Sequence, residues 1–302
     1  MITIALLEAI ERISAGVVAT VTGTEGHTYK KVGAKAVFRP NDPSAVHGNL
    51  GSLCADQEIQ RVAGDVVSTA RNRSLRIDTS DPDDAIFGYG TACGGVMEIL
   101  LEPVDKAMKA VYRTLRTTCF RNNEPAFLIH DFEAGGIALV TAAPDPEPGR
   151  FIEPVPRRQE LTIFGATPLA ARLIDSLREL PFRIHLVDWR PAHVDPFRRN
   201  EDLTVHEELP VLDAGAFVLV LSHSYERDRA CLRQTLEAGC RYVGLLSSRP
   251  RRDALYEDLR AEGADEERLR RIRSPVGLPL GGRSDPEIAV AILAELIREL
   301  HR

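Results

Sequence analysis

Two of the five cysteines stand apart from the rest by the company they keep. Cys54 follows Gly51 and Ser52 in GNLGSLCADQE, and Cys93 precedes Gly94 and Gly95 in ACGGVMEILLEP. Each is expected in a Gly/Ser-rich turn that abuts a regular element. A thiol beside bare backbone N–H groups has a lowered pKa and room for a bulky partner. Such a thiolate suits a soft metal or sulfur transfer; two inert cysteines in tight turns are the alternative. Cys119, Cys231 and Cys240 fall in or next to helical segments and are expected as small buried hydrophobes. An odd number of cysteines in 302 residues is no disulfide framework and fits a reducing compartment. No C-x-x-C or Cys/His cluster has zinc-finger spacing.

The second half offers three further chemical stretches. TIFGATPLAARL stands where a dinucleotide fingerprint G-x-G-x-x-G/A would stand, after a first strand and into a first helix. Gly165 and Ala170 keep its ends. Thr167 replaces the glycine that lets backbone approach a pyrophosphate, and Pro168 removes an N–H. Asp188 ends the next strand about 20 residues on, where a ribose-binding acid belongs. The alternatives are NAD(P) binding, against which Thr167 and Pro168 count, and a similar scaffold serving another ligand. LSHSYERD places His223 at the carboxyl end of a central strand, as an acid, a base, a ligand or a loop histidine bonded to backbone. SPVGLPLGGRSDPE runs through Gly281 and Arg283 into a helix, as an anion seat or a simple turn.

The elements that must position these residues divide the chain. The stretch 144–160 is proline-rich and charged, and reads as a linker between domains at 1–143 and 161–302. The first domain is mixed α/β. Strands are expected in GVVATVTGTEG, AKAVFRP and GVMEILLEPV, a hairpin in AFLIHDF and GIALVTA, and helices over ADQEIQRVAGDVVSTARN and DKAMKAVYRTLRTT. The second alternates short apolar strands with helices, which indicates a Rossmann-like parallel sheet. Ser284 to Glu287 has capping-box spacing and fixes the start of the last helix. A net charge of -6 gives no reason to expect nucleic acid. The absence of a leader-like N-terminus and of an apolar run near spanning length suggests a cytoplasmic protein without a membrane partner.

With these stretches in view, GHTYKKVGAKAVF, GNLGSLCADQE and ACGGVMEILLEP resemble the N-terminal domain of the XdhC/CoxI family. FGATPLAARL, VDWRP, LSHSYERD, YVGLLSSRPRR and VGLPLGGRSDPEIAVAILAEL resemble its Rossmann-type domain, in the same order and over nearly the whole chain. The resemblance implies an accessory factor that is a cofactor chaperone rather than an enzyme. It would bind the molybdenum cofactor (molybdopterin), hold it while a cysteine desulfurase supplies the terminal sulfur, and pass it to a xanthine-dehydrogenase-type apoenzyme. A homodimer is implied as well. On that basis Cys54 and Cys93, with Gly94 and Gly95, are the cofactor and metal candidates. Lys30, Lys31 and Lys35 would meet the cofactor's phosphate. Gly165, Asp188, His223, Gly281 and Arg283 would hold the pterin or its nucleotide extension. Departures from the family pattern fall at Ser52 to Asp56, at Ser222 to Asp228 and at Leu246 to Arg249. A dinucleotide-dependent oxidoreductase and a docking protein that holds no cofactor are the alternative readings.

Overall fold

The computed structural model describes residues 2–40, 42–50, 53–78, 95–133 and 135–302, with backbone alone at 42–46 and 53–55. The chain forms two compact units, Met1–Arg157 and Arg158–Arg302. Among the described residues no helix is long and apolar enough to cross a membrane.

The first unit begins with helix α1 (Ile4–Arg12), whose Thr3 side chain caps the Leu6 N–H. Strands β1 (Val17–Gly26), β2 (Lys35–Arg39), β3 (Asp42–His47), β4 (Arg73–Asp78) and β5 (Gly95–Pro103) form an antiparallel sheet of order β3-β2-β1-β5-β4. Period-two alternation gives it two faces. Val17, Ala19, Val21, Phe38 and Leu101 pack under Ile59, Ala63 and Val66 of helix α2 (Leu53–Thr69), as the spacing of that helix predicts. Val18 and Val37 face α1, helix α3 (Lys106–Leu115) and a second sheet. That sheet has order β7-β6-β8, from β6 (Ala126–Asp131), β7 (Ile137–Val140) and β8 (Arg150–Val155). A π-helical turn, Arg116–Arg121, follows α3 and buries Cys119.

Residues 150–155 thus form a strand inside the stretch expected as a linker, and the division between units falls after Arg157. Pro154 is tolerated because β8 pairs on one side alone, with β6.

The second unit is the expected parallel α/β domain. Strands β9 (Gln159–Phe164), β10 (Phe182–Val187), β11 (Leu203–His206), β12 (Phe217–Val220), β13 (Tyr242–Leu245) and β14 (Ile272–Arg273) lie in the order β11-β10-β9-β12-β13-β14. Every pairing in it is parallel. Counted within the unit this is the 3-2-1-4-5-6 order of doubly wound nucleotide-binding sheets. Helices α4 (Pro168–Leu177) and α9 (Asp285–Leu300) pack together on one core, with Leu161, Ile163, Leu173 and Ile292. Helices α6 (Tyr225–Ala238) and α7 (Arg249–Ala261) cover the other, with Val218, Val220, Leu232 and Leu255. The short α5 (Pro191–Val194) follows β10, and α8 (Glu266–Arg271) leads into β14.

Candidate functional site

The strand order of the second unit reverses between β9 and β12, and ligands of open α/β sheets sit outside the carboxyl ends of such strands. Gly165 leaves β9 at φ +112°. A Cβ there would lie 2.6 Å from the Ser222 Cα and 2.8 Å from the Leu221 carbonyl carbon. Close passage of the chain leaving β12 therefore explains this glycine without any ligand. It also brings Gly165 and His223 to one place. His223 is exposed and left-handed, φ +61°, an uncommon conformation that histidine tolerates better than most residues. Beneath it the Ser222 hydroxyl donates to buried Asp228, and Arg251 holds the second Asp228 oxygen at 2.6 Å. Arg251 also donates to the His223 carbonyl at 3.1 Å, so one guanidinium ties α7 to the loop. Burial raises the Asp228 carboxyl above its ordinary value even with Ser222 and Arg251 bonded to it.

Asp188 joins this edge but is fully occupied. Its carboxylate accepts from the Ala166 N–H at 2.9 Å, the Arg190 N–H at 3.0 Å and the Arg190 guanidinium at 2.7 and 2.8 Å. Burial opposes ionisation, yet these donors hold its pKa below the ordinary aspartate value. The acid expected to meet a ribose is thus an internal brace. At α4 the Thr167 side chain accepts the Ala170 N–H at 3.2 Å, and Pro168 has no N–H to offer. The helix start that seats a pyrophosphate in dinucleotide enzymes is partly closed by its own cap.

Gly281 and Arg283 lie in an exposed loop before α9. Glu287 accepts the Arg283 and Ser284 N–H groups at 3.0 and 2.9 Å and the Ser284 hydroxyl at 2.7 Å. These donors pull its carboxyl down to about 2. The anion at this helix start is the chain's own capping glutamate, and the Arg283 side chain stays exposed.

In the first unit, Lys30 is half-buried with its ammonium 4.9 Å from the Tyr29 ring centroid, and Lys31 is exposed. Lys35 corrects the phosphate expectation, because its side chain is fully buried. Its ammonium sits 2.8 Å from Glu153 and 2.8 Å from the Thr20 hydroxyl. His130 bridges Glu153 at 3.3 Å and Glu102 at 2.7 Å, also fully buried. Burial opposes a charged His130, yet the two carboxylates hold its pKa above the ordinary histidine value. Burial would likewise raise Glu153, but Lys35 and His130 hold it below the ordinary range. Lys35 is a structural cation.

Cys54 lies in the first turn of α2 rather than in a turn before it. Cys93 and Gly94 fall outside the described residues. Gly95 opens β5 opposite Gly26, and a Cβ there would strike the His27 carbonyl and the Thr28 methyl group. The other three cysteines are buried as expected. Burial pushes the Cys119 and Cys240 thiols up to about 11 and Cys231 higher still, so all three stay protonated near neutrality. Among the described residues no group of three or more His, Cys, Asp or Glu side chains is placed to hold a metal ion.

Sequence reasoning missed Ser222 and Arg251 as the partners of Asp228, and the Thr20–Lys35–Glu153–His130–Glu102 cluster. Alternation along AFLIHD puts His130 on the same inward face as Leu128, which was the available signal.

Comparison with known proteins fits this architecture. Residues 9–78 match the model described as the XdhC and CoxI family, and residues 161–296 match that of the XdhC Rossmann domain. The chain is 24% identical to a protein of Bacillus subtilis (strain 168) named as a probable xanthine dehydrogenase subunit, over 99% of this chain and 96% of that one. It is 29% identical to the uncharacterized protein YqeB of Escherichia coli (strain K12), over 49% of this chain and 28% of YqeB. A crystal structure titled as a xanthine dehydrogenase from Bacillus halodurans superposes with a TM-score of 0.73 at 25% identity, covering 100% of this chain and 96% of that one.

Proposed function

Because the chain belongs to the XdhC and CoxI family, we propose that it is an accessory protein that binds the molybdenum cofactor and assists its sulfuration and insertion into a xanthine-dehydrogenase-type apoenzyme. The observation that carries this reading is the end-to-end similarity to a chain named for xanthine dehydrogenase. The crevice at the strand-order reversal supports it, since a scaffold of this order takes ligands at that edge.

The residues fit such a ligand in part. In the second unit exposed His223 and Arg283, and separately in the first unit half-buried Lys30, are of residue types that suit an anionic, heterocyclic molecule. Lys35 and Asp188 do not fit, because both are bonded inside the protein. When bound, the molybdenum cofactor would bring the redox-active metal that the apoenzyme lacks. The chain's own part is to bind and shield it. Cys54, in the first turn of a 17-residue helix, is one sulfur candidate. Cys93 is the second sulfur candidate. A cysteine desulfurase and a homodimeric assembly belong to the same reading, as does the absence of a substrate turned over by this chain alone.

The test is cofactor retention. Purified protein is incubated with freshly isolated molybdenum cofactor, desalted, and assayed for molybdenum and pterin. Wild type should retain both in stoichiometric amount, and Cys54→Ala or Cys93→Ala should lose most of it. Retention of neither by wild type would overturn the reading. The dinucleotide reading is less well supported, because Asp188 is bonded to Arg190 and Thr167 caps α4.

A further inference from the structure

The last helix, α9, is apolar on both sides. Its inner face, with Ala289, Ile292 and Leu296, is buried in the core it shares with α4. Its outer face carries Val290 and Ile297, 58% and 39% exposed. Ala294 lies between them and Leu293 beside it, both half-buried. From Ala289 to Ile297 the one polar side chain is Glu295. That carboxylate is buried, where it accepts from the Tyr242 hydroxyl and the Gly277 N–H at 2.9 and 2.8 Å. About two and a half turns of a surface helix therefore show solvent no exposed polar side chain. A helix with one covered face ordinarily turns charged and polar residues outward. Scattered exposed apolar residues need no explanation. Here, however, Leu280, Val290 and Ile297 are three of the six large ones exposed among the described residues, and all three fall on α9 or in the loop that leads into it.

We infer that this face of α9 packs on the same face of a second copy of the chain, the two helices antiparallel about a two-fold axis beside Ala294. Val290, Ala294 and Ile297 recur at i, i+4 and i+7, which puts them on one stripe. Reversed on itself, the stripe is self-complementary. Val290 of one copy meets Ile297 of the other, and the two-fold repeats the contact. The small Ala294 at the centre lets the two backbones approach. Charge selects a second copy over an unrelated partner, because the ends of α9 differ in sign. Its first turn exposes Asp285 and Glu287, with Arg283 in the loop before them. Its last turns expose the Arg298 and Arg302 side chains, at 41% and 58%, more than the acids that bond them, Glu295 at 6% and Glu299 at 14%. Reversal lays the acidic turn of each copy on the basic turn of the other and opposes the two helix dipoles. A uniformly acidic or basic partner would suit one end alone. Two facing helices make a small interface, so the association depends on concentration. The inference rests on the homodimeric part of the proposed function and on nothing in its cofactor part.

Sedimentation of the full-length protein over a concentration series reads the association. Wild type should pass from monomer to dimer. Val290→Glu and Ile297→Lys change exposed positions outside the core, and each should weaken the dimer roughly tenfold or more, because each change acts twice across the axis. Combined in one chain, the two substitutions face each other in an antiparallel pair and should recover part of the loss. In a parallel pair like charges would meet and nothing would be recovered. Ala294→Cys should be joined into dimers by a short thiol cross-linker under conditions that leave wild type unlinked. A chain that stays monomeric throughout would overturn this inference together with the homodimer proposed above. A dimer indifferent to both single changes, no cross-link at Ala294→Cys beyond wild type, or no recovery in the combined variant would overturn the α9 pairing and leave the homodimer standing. Molybdenum and pterin retention is measured separately, so the cofactor reading stands or fails by itself.

Discussion

The two units place their charges in opposite ways. In Met1–Arg157 the ionisable groups are inside: Lys35, Glu102, His130 and Glu153 meet between two sheets with almost no contact with solvent. In Arg158–Arg302 the two cores are largely apolar, with buried Glu295 bonded to the Tyr242 hydroxyl, and many polar groups gather where strands end, at Asp188, Ser222, His223, Asp228 and Arg251. A buried charge cluster must be satisfied internally, because no ligand or water repays its desolvation. A strand-end cluster can brace its loops and still present side chains outward. Charge type alone therefore says little about ligand binding; a lysine in a basic stretch became a core cation, while a histidine in a neutral loop became the exposed group.

The largest expected effect breaks the interior cluster. Glu153→Ala leaves the Lys35 ammonium buried without a counter-charge and should destabilise the first unit by about 3–5 kcal/mol in urea unfolding. The pair Lys35→Met with Glu153→Leu should recover most of that loss, since a buried ion pair is weak evidence for stability once both partners are replaced. A single change as costly as the pair would show that the cluster acts as more than compensated charge. Next in size is Gly165→Ala. The added methyl meets the Ser222 backbone at 2.6 Å in a φ that L residues rarely adopt, and thermal unfolding should show a loss of about 1–3 kcal/mol in the second unit. A neutral result would mean that the two strand ends separate easily.

The response to pH sharpens the contrast. His130 has a raised pKa, so its contribution is complete below the ordinary histidine value of 6.5 and is lost as pH rises through the raised one. Glu153 has a lowered pKa, so its contribution is complete above 4.5 and is lost as pH falls through the lowered one. Both are complete between those ordinary values, and His130→Gln should remove the alkaline decline. His206 of the second unit is lowered by burial, His185 and Arg183, so its effect has the opposite sign from that of His130. There, stability falls as pH drops below 6.5 through the folded value. Hydrogen exchange resolved by unit, measured across pH 5 to 8, checks the sign of both histidine slopes. The smallest effect is Tyr112→Phe. The Tyr112 hydroxyl is buried without a hydrogen-bond partner among the described residues. Its removal should be neutral or stabilise by up to about 1 kcal/mol, and a clear loss in the melting temperature would mean that the hydroxyl is bonded.

The parallel sheet was legible because its strands are short apolar runs between helices with readable caps. Thr167 and Pro168 announced their departure from the dinucleotide pattern, and Ser284 with Glu287 forms the expected capping box. Strand β8 was hidden by Pro154, since proline argues against a strand unless it pairs on one edge alone. Lys35 was expected at a phosphate through the family resemblance; the alternation of KAVFR, which puts it beside Val37 on the inward face, was the better guide. Helix α2 starts at Leu53, two residues before the expected Ala55, and Asp56 within it accepts the Leu50 N–H.

The most direct test of the central claim is transfer. Protein loaded with molybdenum cofactor is mixed with a cofactor-free xanthine-dehydrogenase-type apoenzyme, and dehydrogenase activity is followed for wild type and Cys93→Ala. Activation by wild type well above that given by the same amount of free cofactor, lost in Cys93→Ala, is the expected result. Equal activation with and without the protein, or full activation by the variant, would contradict it.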